Sequence, residues 1–255
     1  MRTINGTGIR RLDIQLGSGN VRLQASEDGN VYGEIRCEDA DLEQRINTTT
    51  FGDTLRIDTT RAANFPRIFD KSIDISLSVP AGTHLDLTGG SCEVNTDVTL
   101  GTVSVKVGSG DLRIARADQL ICKTGSGDVF VLETVGNAQL ITGSGDLRLD
   151  RCGGELQATT ASGDVVIGEL SGSASIKSAS GDITIAGASG SADVKTSSGD
   201  VEIGVAGDLP AWLDLRSGSG EVDIKIPPSN QPEPGAPFVS ISARSGSGDI
   251  TIVRA

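Results

Sequence analysis

The sequence predicts an all-β fold, a parallel β-helix or β-solenoid with coils of roughly 18 residues and an irregular N-terminal β segment. Three observations predict it. A Ser-Gly-Asp tripeptide returns at a near-constant interval. Apolar residues occupy every second position on both sides of it. The composition is also poor in the large side chains that fill compact cores, with 34 glycines in 255 residues and 3% aromatics.

The interval comes first. The acidic residue of the tripeptide falls at Asp111, Asp128, Asp146, Asp164, Asp182 and Asp200, at spacings of 17, 18, 18, 18 and 18. Looser copies end in Glu221 and Asp249, after spacings of 21 and 28, while Ser18-Gly19-Asn20 and a degenerate Ser91-Cys92-Glu93 precede the main run. One and three residues after the acid stand Leu112/Ile114, Val129/Val131, Leu147/Leu149, Val165/Ile167, Ile183/Ile185, Val201/Ile203, Val222/Ile224 and Ile250/Ile252. The residue between them varies freely, which is the alternation of a strand with one buried face. A second alternating strand precedes the tripeptide, as in Leu156/Ala158/Thr160 and Ala174/Ile176/Ser178, and its outward column carries Lys106, Lys123, Lys177, Lys195, Arg216 and Arg244. Glycine before the acid supplies the backbone freedom of a tight corner. A coil this short buries nothing alone, so the copies must stack.

Two stretches break the period. Residues 1–80 read as an N-terminal β segment that holds the first S-G-N repeat and then, from 24 onward, a cap over the first coil interrupted by the polar stretch 38–44. Residues 81–255 read as the solenoid of S-G-D repeats, interrupted at 227–237 by an extruded proline-rich loop, PPSNQPEPGAP. The last copy runs through Ile250 and Ile252 with only Val253, Arg254 and Ala255 after it, so the final coil is expected to expose unpaired strand edges.

Charge and cysteine content narrow the function. The net charge is −12. Such acidity repels phosphate backbones, so nucleic acid is not an expected partner. Cys37, Cys92, Cys122 and Cys152 form no C-x-x-C pair, and His84 is the single histidine. A zinc site is therefore not expected, nor any cofactor, and the cysteines read as reduced, partly buried side chains. The N-terminus lacks an apolar stretch of signal-peptide length, and no apolar run reaches membrane-spanning length. The expectation is a cytoplasmic protein, or a cell-envelope or secreted one where an export signal has been trimmed.

Each repeated column suggests its own chemistry. Stacking places Asp111, Asp128, Asp146, Asp164, Asp182 and Asp200 in line at about 4.8 Å per rung, where neighbouring carboxylates repel by about 1 kcal/mol in water. Bound calcium would offset this, which makes these residues calcium candidates. Backbone N–H groups at the corner would offset it too, and that is the expectation. Ser109, Ser126, Ser144, Ser162, Ser180 and Ser198 suggest a hydroxyl ladder, since no G-x-S-x-G elbow or triad surrounds His84. The corners are too short to build a catalytic cleft, so no enzyme is expected and no catalytic residue is assigned. Trp212 and Phe130 occupy outward positions and are candidate interaction residues.

The run IDISLSVPAGTHLDL at 73–87, followed by tandem S-G-D-[VIL]-x-[VIL], resembles the bacterial putative-adhesin family of β-strand-repeat proteins, a domain of unknown function. The resemblance covers nearly the whole chain. It implies a β-helical, non-enzymatic protein with no catalytic residues to carry over. The sequence therefore points to a non-catalytic, adhesin-like structural scaffold that binds proteins or itself through open solenoid ends. A self-assembling cytoplasmic filament protein and a calcium-dependent binding module are the alternatives.

Overall fold

The computed structural model describes residues 1–37, 43, 46–59, 72–228 and 238–255. Apart from Glu43, the polar stretch 38–44 lies outside the described residues, as does the proline-rich loop from 229 onward. The chain divides into two units, Met1–Phe130 and Val131–Ala255. The fold is the all-β parallel solenoid that the repeat predicts, and the apolar columns face inward in each unit.

The first unit contains β1 (Arg2–Gly6), β2 (Arg11–Ala25), β3 (Val31–Cys37), β4 (Asn47–Phe51), β5 (Thr54–Asp58), β6 (Ile73–Val79), β7 (His84–Ser109) and β8 (Leu112–Ser126). The first repeat copy, β2, is not an outermost coil. It pairs in parallel with β7 on one side and with both β5 and β6 on the other. β5 and β6 thus make a discontinuous coil beyond β2. That coil is flanked in turn by antiparallel partners, β4 beside β5 and β3 beside β6, with β1 beside β3. Val31, Ile35 and Ile46 are buried there, and Leu55, Ile57, Ile75 and Leu77 of the coil are 4% exposed or less.

β9 (Val129–Thr134) leads into the second unit, which contains β10 (Ala138–Ser144), β11 (Leu147–Cys152), β12 (Leu156–Ser162), β13 (Val165–Leu170), β14 (Ala174–Ser180), β15 (Ile183–Ala188), β16 (Ala192–Ser198), β17 (Val201–Val205), β18 (Ala211–Ser217), β19 (Val222–Ile224), β20 (Val239–Ser247) and β21 (Ile250–Arg254). Successive coils lie in register, with one shift between Ile185 and Ala188. Leu156 sits beside Ala174 and Ala174 beside Ala192, while Val165 sits beside Ile183 and Ile183 beside Val201. Leu156, Val165, Ile167, Ile176, Ile185 and Val194 have no exposed surface. Burying each such side chain is worth about 1.5–3 kcal/mol.

The expectation for the last copy is overturned. β20 and β21 pair with β16 and β17 on one side and with β18 and β19 on the other. The coil that ends the sequence is therefore an interior rung, and the copy at 211–224 lies outside it. The chain overshoots by one rung and then returns. Arg254 holds the overshoot in place, donating through Nη1 to the carbonyls of Gly207 at 2.7 Å and Leu209 at 3.2 Å. The Ala255 amide donates to the Val205 carbonyl at 3.0 Å.

The regular corners need their glycine for two separate reasons. Gly163 has φ +132°, and a Cβ there would lie 2.2 Å from the Gly145 carbonyl oxygen of the coil beneath. The positive φ disfavours L side chains, and the stacked backbones leave no volume for one. Gly17 in β2 has neither restriction, with nothing within 4 Å of its Cβ position.

An inward hydroxyl column accompanies each corner: Thr142, Thr160, Ser178, Thr196 and Ser245 are all buried. Thr142 and Thr196 donate to the carbonyls two residues on, at 3.2 and 3.1 Å, and Ser245 donates to the Gly199 carbonyl at 3.2 Å. Thr160 Oγ1 and Ser178 Oγ have no such partner. A buried hydroxyl without a hydrogen bond costs about 1–3 kcal/mol.

Two predictions follow from this packing. Gly163→Ala is expected to destabilise the protein by about 2 kcal/mol or more, and Gly17→Ala by less than about 0.5 kcal/mol, both measured by urea unfolding. In the same assay Thr160→Val is expected to raise stability by about 1 kcal/mol, whereas Thr142→Val lowers it by about 1 kcal/mol through loss of its hydrogen bond.

Candidate functional site

The outermost coil of the second unit differs from its neighbours. Its inward positions Ala211, Leu213 and Leu215 are only half-buried, and Val222 and Ile224 are 42% and 49% exposed. The equivalent residues one rung inward, Ile241, Ala243, Ile250 and Ile252, are 1% exposed or less. The cause is one-sided stacking: among the described residues β18 pairs only with β20 and β19 only with β21. Leu213, Ile224, Ile226, Pro227, Pro228, Ala211 and Trp212 line a cleft of about 450 Å³. Trp212, 63% exposed, stands at its rim on the outward face. An apolar mouth bordered by an aromatic ring and an unpaired strand edge suits a protein segment better than a small polar substrate.

The corner carboxylates form a different kind of array. In the first unit the Asp128 amide donates to Asp111 Oδ1 at 3.1 Å. In the second, the Asp164 amide donates to Asp146 Oδ1 at 2.9 Å, Asp182 to Asp164 at 2.9 Å, Asp200 to Asp182 at 2.8 Å, Asp249 to Asp200 at 2.8 Å and Glu221 to Asp249 at 2.8 Å. The carboxylates of Asp111, Asp146, Asp164, Asp182, Asp200 and Asp249 thus each accept the backbone N–H of the next rung, a charge-assisted bond that opposes repulsion along the row. Among the described residues no group of three or more His, Cys, Asp or Glu side chains gathers into a metal-holding cluster.

The outward cation column is also in register, in the order Lys177, Lys195, Arg244 and Arg216. Lys195 pairs with Asp193 at 2.7 Å, and Arg244 and Arg216 share Asp214 at 2.9 and 3.3 Å. The hydrogen bond from Lys195 holds the Asp193 carboxyl below the usual carboxylate range.

The remaining candidate residues are dispersed. Phe130 is half-buried. Ser91 and Ser109 share a hydrogen bond at 3.0 Å and Ser247 donates to Ser198 at 3.5 Å, so hydroxyl contacts join particular rungs of the serine column. His84 Nδ1 accepts the Thr102 amide at 2.9 Å, which commits that nitrogen to the coil above. Cys92, Cys122 and Cys152 are free and buried, and Cys37 is half-buried. Burial pushes the Cys92 thiol up to about 11 and the Cys122 thiol up to about 12. Sequence reasoning placed Val222 and Ile224 in the core with every other copy. The only signal of their exposure was the irregular spacing of 21 and 28 around Glu221.

A family model described as Toastrack DUF4097 matches residues 9–254. Among solved structures the chain is similar to a putative lipid binding protein from Parabacteroides distasonis ATCC 8503, with 15% identity and a TM-score of 0.51 over 99% of this chain and 96% of that one. It is also similar to a putative adhesin from Bacteroides fragilis NCTC 9343, with 16% identity and a TM-score of 0.48 over 99% of this chain and 95% of the other. At this level of identity the first likeness concerns the fold. No curated protein matches the chain.

Two measurements check the site chemistry. At pH 8, thiols titrating near 11 and 12 are thiolate in about one molecule in a thousand or fewer. Iodoacetamide followed by peptide mass spectrometry is therefore expected to label Cys37 in the folded protein and Cys92 and Cys122 only after unfolding. For the corner row, Asp164→Ala is expected to cost about 1–2 kcal/mol by stranding the Asp182 amide, while Asp164→Asn, which keeps an acceptor oxygen, costs less. A calcium-dependent rise in melting temperature that vanishes in the Asp146→Asn/Asp164→Asn variant would favour the calcium reading instead.

Proposed function

The chain belongs to the Toastrack DUF4097 family, and from that premise we propose that it is a non-catalytic, adhesin-like β-solenoid scaffold that binds proteins through its uncovered end coil. One observation carries this reading. Among the described residues the other apolar columns are buried, whereas the column of coil 211–224 is open, with Val222 and Ile224 at 42% and 49% exposure beside Trp212 at 63%. Exposing those side chains forgoes the burial that every neighbouring rung obtains, and a bound protein would recover it.

Other features support a binding role over turnover. The buried thiols Cys92 and Cys122 are pushed far above the range in which a thiol is a nucleophile. The corner carboxylates are engaged one by one along a row, whereas catalytic pairs converge on a common point. The designations of the similar structures, adhesin and lipid binding, also describe binding activities.

Beads coated with the full chain are expected to retain at least one member of a panel of purified envelope and extracellular-matrix proteins. Trp212→Ala is expected to lower that retention roughly tenfold or more, the behaviour of an interface hot spot, and Phe130→Ala to leave it unchanged. Retention equal in wild type and Trp212→Ala, or release of product from a polysaccharide panel, would overturn the reading.

A further inference from the structure

The reading of the end coil as a docking surface leaves its occupant open, and the inference here rests on that reading. The two edge strands share a charge pattern. β18 carries Asp214-Leu215-Arg216, and the stretch that begins in β19 carries Asp223-Ile224-Lys225. In each, an acid and a base flank one inward apolar residue. Arg216 lies 3.3 Å from Asp214, and Lys225 lies 3.2 Å from Asp223, so both charges of each pair stand on the same outward face.

Geometry limits how such an edge can be covered by another like it. Two copies of the same strand edge can pair with both apolar faces on one side only when the strands run antiparallel. A parallel pairing of like edges would turn one apolar column to solvent.

We infer that the occupant is a second copy of this chain, docked about a two-fold axis that passes through Leu215 of β18. About that axis Asp214 faces Arg216 of the second copy. Leu215 meets Leu215, and the half-exposed Leu213 is covered. Trp212 lies opposite Gly218 of the second copy, where an absent side chain leaves room for the indole. The contact is isologous, so it closes at two copies.

Trp212 is the only tryptophan and reports the contact directly. The full-length protein is expected to sediment as two chains, with tryptophan emission moving to shorter wavelength as concentration rises. Asp214→Arg puts like charges opposite at two symmetry-related places and is expected to weaken the dimer about tenfold or more. The double variant Asp214→Arg/Arg216→Asp exchanges the charges and is expected to restore affinity to within about threefold. Far-UV circular dichroism on each variant checks that the fold is kept, and the wild-type emission shift tests the contact with no variant at all.

A single-chain species at roughly 100 μM without an emission shift would overturn the dimer. In that case retention of a heterologous protein by the beads would leave the binding reading standing, and its absence would remove both. Open-ended polymers would overturn the two-fold closure. A dimer unchanged by Asp214→Arg would overturn this register.

Discussion

The structure depends on how closely consecutive corners approach. The carbonyl oxygen of Gly145 comes so near the backbone of Gly163 that any side chain would have to occupy the same space, and the relation recurs one rung on between Gly163 and Gly181. That approach lets the amide of one corner aspartate reach the carboxylate of the aspartate beneath it, as Asp182 reaches Asp164 at 2.9 Å. Glycine, aspartate and the apolar residues after them are therefore one device. The glycine permits the spacing, the carboxylate binds the amide brought into range, and the strand that follows is delivered in register to the ladder below. That register then aligns the valines, isoleucines and leucines into continuous buried columns.

The same regularity explains what happens at the ends. The copies present nearly the same inward column and corner, so one copy stacks acceptably on another. Order in space is then free to depart from order in sequence, and it does so twice. The first copy is enclosed between a later discontinuous coil and the next regular rung, while the last copy is enclosed between two earlier ones. The outcomes differ in coverage. The outer coil of the first unit has antiparallel strands beside it and a buried apolar column. The outer coil of the second unit has a neighbour on one side only among the described residues, and its column is open.

Much of this was legible in particular residues. The alternation around Asp164, with Val165 and Ile167 inward and Val166 between them, was sufficient to place a strand and its buried face. The serine, glycine and aspartate at 162–164 were sufficient to place the corner and its backbone hydrogen bonding. The candidate site was less legible. Trp212 was identifiable as outward, but Val222 and Ile224 match the core pattern of Val201 and Ile203, and only the irregular spacing around Glu221 set their copy apart.

The sequence by itself determined the rung: its length, its two strands, its inward columns and the chemistry of its corner, because each of these is a local relation within about 18 residues. Only the tertiary structure decided which rung stands next to which, and hence which one is left uncovered. Stacking energy is nearly the same for every pair of copies, so the choice falls to distant constraints such as the clamp of Arg254 on the turn at 207–209. A local pattern repeated along the chain carries no information about such constraints.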